Sequence, residues 1–165
     1  MRRVNRPQDK RWSVVFSLIG LLIVVADQLS KIWIRTNLPE GHSLFQLGFF
    51  RITHVHNTGA AFGLFPDHTF VLTIVAIIAI TVILAYTFVG YRHLPWLDSK
   101  LGKLALGLIL GGTVGNLIDR LRFGYVTDFI DFSFWPTFNI ADSAVTIGVI
   151  LFAYSLLRLA RVEKQ

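Results

Sequence analysis

Four long apolar runs constrain the fold of this chain more than any other feature of its sequence. None contains Asp, Glu, Lys or Arg, and they comprise residues 12–26, 68–91, 104–118 and 143–157. A helix needs about 20 mostly apolar residues to cross the roughly 30 Å hydrocarbon core of a bilayer. The sequence therefore predicts one all-α membrane domain over residues 1–165, a bundle of four spanning helices. Their expected bounds are about residues 12–34, 69–91, 101–119 and 140–159.

The composition and the charge exclude several classes of function. Of the residues, 53% are hydrophobic and only 16% are charged, whereas soluble domains average about 25% charged residues. The chain has no cysteine, which excludes a disulfide framework, a thiolate metal site and a thiol nucleophile. Its net charge of +6 lies outside the apolar runs, which indicates membrane lipid rather than nucleic acid as a partner.

Basic residues predict the orientation of the four helices. They are concentrated in the N-terminal tail, between the second and third apolar runs, and in the C-terminal tail. Because positively charged segments stay in the cytoplasm, both termini are expected there, and residues 35–67 and 120–139 form the outer loops. The basic, then apolar N-terminus is expected to be an uncleaved span rather than a signal peptide. The apolar run continues into Asp27 and Lys31 without a small-residue cleavage site.

The two outer loops are expected to differ in structure. Residues 49–56 of the first loop alternate in character, which predicts a strand and, with it, a small extracytoplasmic β-sheet, a cradle lying on the membrane. The edge of such a sheet is suited to binding an extended peptide by strand addition, and a simple structural cap is the alternative. The second loop is short, and its aromatic residues are typical of membrane anchors: they are Phe129, Phe132, Phe134, Trp135 and Phe138.

Metal-dependent chemistry finds little support in the sequence. His54 and His56 are two residues apart, so on a strand they share one face and would supply half of a metal site. No third ligand is evident, and the chain has neither a His-Glu-x-x-His motif nor a Gly-x-Ser-x-Gly elbow. We therefore expect no metal and no cofactor, which leaves carboxylates to carry the chemistry.

Three aspartates lie at the outer ends of the apolar runs. The first, third and fourth runs are each 15 residues long, or about 22 Å as helices, so each brings a polar residue close to the hydrocarbon. At the outer side these residues are Asp27, Asp119 and Asp142. Any one of them alone fits a helix end among the headgroups. Three together, with Asn and Arg beside them, indicate a functional site, because ionisable groups are costly at this depth.

Helical spacing assigns local roles to the polar neighbours of these aspartates. Asn116, Asp119 and Arg120 share one helix face. Arg120 is expected either to hold Asp119 ionised or to neutralise a phosphate headgroup. Asp27 and Lys31 are four residues apart and are expected to pair, with Lys31 reaching toward the outer headgroups.

The carboxylates could form a catalytic pair. Two carboxyl groups within a few ångströms share a proton, so one acts as acid and the other as base toward a water and a peptide carbonyl. Gly107, Gly111 and Gly115 lie four apart and predict close helix packing, which would bring Asp119 near Asp142. Spacing thus ranks these two together, but it does not identify the pair among the five candidates: Asp27, Asp119, Asp128, Asp131 and Asp142.

Five motifs together resemble the lipoprotein signal peptidase (signal peptidase II) family. In chain order they are Asp27-Gln28-x-x-Lys31, Asn57-x-Gly59-Ala60-Ala61-Phe62, Gly111-Gly112-x-x-Gly115-Asn116-x-x-Asp119-Arg120, Val126-x-Asp128-Phe129 and Phe138-Asn139-x-Ala141-Asp142. Any single motif is a weak signal, but five in this order on a four-span chain are specific. The resemblance covers nearly the whole chain.

The resemblance implies an intramembrane aspartic endopeptidase of the bacterial cytoplasmic membrane, with its active site near the extracytoplasmic face. Such an enzyme removes signal peptides from diacylglyceryl-modified prolipoproteins, just before the lipidated cysteine, and a monomer is expected. The family's catalytic aspartates correspond to Asp128 and Asp142, which gives Asp119 a supporting role. The other matching positions shape the site or bind substrate: Asp27, Lys31, Asn57, Gly59, Asn116, Asp119, Arg120 and Asn139.

Two alternative functions use the same residues differently. A small proton-coupled transporter would use membrane carboxylates as a proton relay, although here they gather at one face rather than along a path. A non-catalytic lipid-binding membrane protein would tolerate the loss of either carboxylate.

Overall fold

Four long helices form the body of the protein in a computed structural model, which describes residues 10–59, 68–88 and 99–162. They are α1 (Lys10–Asn37), α2 (Thr69–Phe88), α3 (Lys100–Phe123) and α4 (Ile140–Val162). Within the described residues, all four helices are long and apolar enough to cross a bilayer. The fold expected from the apolar runs is confirmed. The third helix continues four residues beyond the predicted end of its span, to Phe123.

Helix α3 is the central helix of the bundle. Half of the apolar stretch of α3 is buried inside the protein, whereas 11–22% of the corresponding stretch is buried in the other three helices. The close packing predicted from its glycines is confirmed, because a Cβ atom at Gly111 would lie 2.6 Å from the Gly20 carbonyl oxygen of α1. Gly112 faces α4 instead and lies against Ala141 and Val145. Glycines on two sides of α3 therefore draw both α1 and α4 against it.

A four-stranded antiparallel sheet lies at one end of the bundle. Its strands are β1 (Ser43–Leu47), β2 (Phe50–Asn57), β3 (Val126–Phe132) and β4 (Trp135–Phe138), in the order β1-β2-β3-β4. The strand predicted in the first outer loop is β2. The second outer loop adds β3 and β4, which the sequence analysis did not expect. Most of β3 is buried, and a strand covered on both faces lacks the alternation by which strands are recognised.

The end of α3 directs the chain into this sheet. Gly124 adopts a left-handed conformation, with φ of 79°, and its N–H donates to the Arg120 carbonyl at 3.1 Å. Glycine favours such a C-terminal cap because it has no Cβ. Strand β3 begins two residues later, at Val126. A short reversal thus places β3 directly against the end of the bundle at which α3 ends.

The aromatic residues of the second outer loop have more than one role. Phe134 and Trp135 are 74% and 50% exposed, in keeping with the membrane anchors that were expected. Phe129 is only 6% exposed, so the expectation is wrong for this residue, which is buried inside the protein. Trp135 and Phe138 also line a groove that is described below.

Candidate active site

Asp142 lies in the first turn of α4 and is held there by a reciprocal cap. The Asp142 N–H donates to Oδ1 of Asn139 at 2.9 Å, and the Asn139 N–H donates to Oδ2 of Asp142 at 3.2 Å. This is a capping box, which satisfies amide groups that a helix start leaves unpaired. The positive end of the helix dipole also favours a negative charge at this position. Asp142 is therefore held in one position at the start of α4.

Asp128 lies on β3, where pairing with β2 places Val55 opposite it. Its side chain is buried, with 1% exposure. Asn57, two residues along β2, donates from Nδ2 to Oδ2 of Asp128 at 2.8 Å. Asn139 donates from Nδ2 to Oδ1 at 2.7 Å. One amide from the first outer loop and one from the start of α4 thus hold this carboxyl.

Asn139 connects the two carboxyl groups. Its side-chain amide binds Asp128, and its main-chain N–H binds Asp142. The second oxygen of Asp142, Oδ1, accepts from Nδ2 of Asn116 at 2.8 Å. Each of the four carboxyl oxygens therefore accepts one N–H donor. The structure brings Asp128 and Asp142, the two aspartates indicated by the family resemblance, into one hydrogen-bonded cluster.

The environment of Asp128 favours its protonated form. Burial, and next the negative charge of Asp142, raise the pKa of Asp128 to about 7, against the hydrogen bonds from Asn57 and Asn139, which lower it. Two neighbouring carboxyls cannot both ionise cheaply, so they hold one proton between them. Asp128, with its raised pKa, is the carboxyl better suited to carry that proton.

A buried charge network supports the pair from the side of α1. Lys31 is fully buried and lies 2.8 Å from Oδ2 of Asp27 and 3.3 Å from Oδ2 of Asp119. The predicted pairing of Asp27 with Lys31 is confirmed, but the expectation that Lys31 reaches the headgroups is wrong. Its ammonium group instead donates to Oδ1 of Asn116 at 2.8 Å, because two carboxylates offset the cost of burying it. This contact orients the Asn116 amide so that its N–H points to Asp142.

Asp119 supports the sheet and does not pair with Asp142, so the ranking from spacing alone is wrong. Its Oδ2 accepts the main-chain N–H of Thr127 at 3.0 Å, which fixes the strand position next to Asp128. Arg35 lies 3.4 Å from the other oxygen and also donates to the Thr127 hydroxyl at 2.9 Å. Arg35 is a supporting residue that the sequence did not predict. Its four-residue spacing from Lys31, which places both on one face of α1, was the one available signal.

Asp27 and Arg120 each hold a segment of main chain near the pair. Oδ1 of Asp27 accepts the Ala141 N–H at 3.0 Å, which ties α1 to the first turn of α4. Arg120 donates from Nη2 to the Gly59 carbonyl at 3.3 Å. Its Nε is buried without a hydrogen-bond partner among the described residues. Ala60, Ala61 and Phe62 of the second motif lie outside the described residues.

A groove of about 570 Å³ opens beside Asp142 between α2, α3, α4 and β4. Asn116, Arg120 and Asp142 form its polar end. Most of the remaining wall is apolar and includes Leu72, Val75, Ala76, Ala79, Trp135, Phe138, Val145 and Ile147. An apolar channel with a few convergent polar groups at one end is the usual form of a binding site.

The two histidines of β2 have other partners. Their rings are 4.9 Å apart, so they share a face as expected. Nδ1 of His54 lies 2.7 Å from the Leu38 carbonyl oxygen, and Nδ1 of His56 lies 2.9 Å from a carboxylate oxygen of Glu40. In residues 10–59, 68–88 and 99–162, no group of three or more His, Asp or Glu side chains could hold a metal ion.

Comparison with known proteins gives a consistent result. The sequence model of the family described as "Signal peptidase (SPase) II" matches residues 19–158. The chain is 51% identical over 143 residues to a lipoprotein signal peptidase of Moorella thermoacetica, covering 86% of this chain and 92% of that protein. It is 56% identical over 138 residues to a lipoprotein signal peptidase of Dehalococcoides mccartyi, covering 83% of this chain and 85% of that protein.

Solved structures give the same result for the fold. A bacterial membrane enzyme determined by the in meso method at 2.3 Å resolution superposes with a TM-score of 0.75 and 34% sequence identity, over 87% of this chain and 88% of the other. A second such structure, at 1.9 Å resolution, has a TM-score of 0.71 and 35% identity, over 87% of this chain and 92% of the other.

Proposed function

The chain belongs to the lipoprotein signal peptidase (signal peptidase II) family, and from this premise we propose that Asp128 and Asp142 are its catalytic pair. The protein is a multi-pass membrane hydrolase, an aspartic endopeptidase that removes signal peptides from prolipoproteins. The observation that carries the assignment is the double contact of Asn139, which donates to both carboxyl groups.

The two aspartates divide the work of hydrolysis. Asp142, as carboxylate, removes a proton from a water whose oxygen attacks the scissile carbonyl carbon. Asp128 gives its proton to the carbonyl oxygen, which produces a gem-diol. The C–N bond then breaks as Asp142 returns its proton to the leaving nitrogen, and a gem-diol hydroxyl returns a proton to Asp128. The products are a carboxylic acid and an amine, and the pair regains its starting state.

The groove supports a substrate that arrives from the lipid. Its apolar wall is formed by membrane-spanning helices, and its polar end is at Asp142. We infer that the substrate is a diacylglyceryl-modified prolipoprotein that is cut just before the lipidated cysteine. Because lipid tails and such a wall are both apolar, a signal helix and acyl chains pass from the lipid into the groove without being exposed to water.

We infer further that the protein lies in the bacterial cytoplasmic membrane with both termini in the cytoplasm. This orientation follows from the basic residues, which are concentrated in the two tails and in the connection between α2 and α3. The sheet and the catalytic pair are then near the extracytoplasmic face. We also infer that the protein is a monomer surrounded by membrane lipid.

The decisive experiment is cleavage of a lipidated prolipoprotein by the reconstituted variants Asp128→Asn and Asp142→Asn. We expect each to lower kcat by at least about 10²- to 10⁴-fold, because each removes one acid–base group. Asp131→Asn is the matched control, since this aspartate also lies on β3 but pairs with Arg51 on the sheet. Undiminished cleavage by either catalytic variant would overturn the assignment. A transporter would instead show pH-gradient-dependent flux without proteolysis, and no described contact favours that function.

A further inference from the structure

The sheet has two outer edges, and only one of them reaches the catalytic groove. Strand β1 is the edge formed by the first outer loop, and all five of its residues are exposed. Strand β4 is the opposite edge, and Trp135, Thr137 and Phe138 line the groove beside Asp142. The sequence predicted a peptide-binding edge in the first outer loop, whereas the edge strand that lines the groove is β4, in the second.

The groove runs along the edge of β4 rather than across one of its faces. Successive residues of a strand point to opposite faces of the sheet. Thr137 and Phe138 are successive, and both line the groove. Because β4 is the last strand of the sheet, a groove lined by residues from both of its faces lies at the sheet edge.

The main chain of β4 has a hydrogen-bonded neighbouring strand on one side only. Its ladder with β3 pairs Trp135 with Phe132 and Phe138 with Ile130. Pro136 and Thr137 lie between these two pairs, and proline has no N–H. The Thr137 N–H is the one remaining donor between these two pairs, and it is the group that an added strand would use.

This edge leads directly to the catalytic pair. Phe138, the last residue of β4, is followed by Asn139, which binds both carboxyl groups. A chain laid along β4 at the usual strand spacing of about 4.8 Å thus ends beside Asp128 and Asp142. Four strand residues span about 10 Å, which is enough to pair with three or four residues of substrate.

We propose that the substrate segment that follows the cleaved bond adds to β4 as a fifth strand. This inference rests on the proposed function. Strand β4 is not part of a membrane-spanning helix. The part of a prolipoprotein beyond its lipidated cysteine likewise lies outside the membrane. The deeper groove is left for the membrane-embedded part of the substrate. Main-chain pairing requires no particular side chains, so one edge serves prolipoproteins whose sequences differ after the cysteine.

The substrate-side test is an amide-to-ester scan of a synthetic lipidated prolipoprotein. Each ester replaces one N–H by oxygen, at successive positions on both sides of the cleaved bond but not at the bond itself. We expect kcat/KM to fall roughly 3- to 10-fold at alternate positions after the cysteine, the loss of one hydrogen bond each. Equal kcat/KM values at all positions, or a lower kcat/KM only at positions on the signal-peptide side, would overturn the proposal.

The enzyme-side test compares prolines on the two edges. Thr137→Pro removes the proposed donor and is expected to raise KM roughly 3- to 10-fold for the all-amide substrate. Leu44→Pro is the matched control, because Leu44 also lies between paired residues, on the exposed edge β1, and is expected to leave KM unchanged. Equal KM values for the wild type and Thr137→Pro would contradict the proposal.

The two tests also separate this inference from the function on which it rests. Thermal unfolding shows whether Thr137→Pro is folded, and if it is not, the ester scan decides alone. If kcat/KM is the same at every ester position and the Asp128→Asn and Asp142→Asn variants are inactive, strand addition is refuted while the catalytic assignment stands. Active aspartate variants refute the catalytic assignment itself.

Discussion

At the scale of single residues, asparagine amides determine how the carboxyl groups can act. An amide has a donor end and an acceptor end, and each of the three amides at this site is oriented by a second contact. Lys31 binds the oxygen of Asn116, and the Asp142 N–H binds the oxygen of Asn139. The Gly59 N–H does the same for Asn57 at 2.8 Å. The donor ends are thereby left for the carboxyl groups.

Replacing Asn139 by alanine should impair both catalysis and stability. The variant loses the Nδ2 donor to Asp128 and the side-chain oxygen that caps α4, so we expect kcat to fall at least about 10-fold and stability to fall by about 1 kcal/mol. Ser99→Ala removes the N-cap of α3 and provides the control, with a similar loss of stability but normal kcat. Peptidase assays and thermal unfolding measure both quantities. Equal kcat values for the two variants would show that Asn139 only caps its helix.

The protonation of Asp128 should set the alkaline limit of activity. Its pKa is raised to about 7, and the mechanism requires its protonated form, so kcat/KM should fall about 10-fold per pH unit above that value. Because the pKa of Asp128 is raised in the folded state, its contribution to the free energy of unfolding is most favourable below pH 3.8, the ordinary pKa. This contribution falls as the pH rises to about 7. A pH–rate profile and pH-dependent unfolding check this. Activity that stays constant up to pH 9 would contradict it.

At the scale of secondary-structure elements, close helix contacts position the site. Gly111 and Gly112 allow α1 and α4 to approach α3 on two sides. Lys31 on α1 can then reach Asn116 on α3, and Asn116 can reach Asp142 on α4. Each hydrogen bond joins a different pair of helices, so a displacement of one helix breaks the chain of contacts.

An alanine at Gly111 should therefore be much more harmful than one at Gly20, its neighbour on α1. The added Cβ at Gly111 would lie 2.6 Å from the Gly20 carbonyl oxygen, whereas a Cβ at Gly20 would have its nearest atom at 3.6 Å. We expect Gly111→Ala to lose about 1–3 kcal/mol of stability and most activity, and Gly20→Ala to resemble the wild type. Thermal unfolding in detergent and the cleavage assay compare them. Similar stability of the two variants would exclude close packing as the cause.

At the scale of the whole molecule, the sheet and the bundle form one unit around the proposed catalytic pair. Asp128 comes from the sheet and Asp142 from a helix, so the pair exists only where the two parts meet. Asp119 and Arg35 fix the sheet by binding Thr127, the neighbour of Asp128. Buried ions are costly unless they are paired, and here the pairing holds the sheet and the bundle together.

The proposed orientation can be tested by labelling, because the chain contains no cysteine of its own. We expect Gln46→Cys, on the exposed strand β1, to react with a membrane-impermeant thiol reagent in intact cells. Arg158→Cys, near the other end of α4, should react only after permeabilisation. Cleavage activity of both variants confirms that they are folded. Labelling of the Arg158 variant in intact cells would reverse the proposed topology.

The sequence by itself determined the four helices, the strand β2 and a set of carboxylates near one end of the bundle. Hydropathy and charge along the chain are local properties, so spans and the depth of ionisable residues follow from them directly. The family resemblance, which is also a property of the sequence, indicated Asp128 and Asp142. Only the tertiary structure decided which side chains meet, because contacts between distant segments depend on helix packing and strand register. Asp119 is an example of this difference. Its position in the sequence predicted a pair with Asp142, but in the structure it binds the Thr127 N–H and Lys31 of α1.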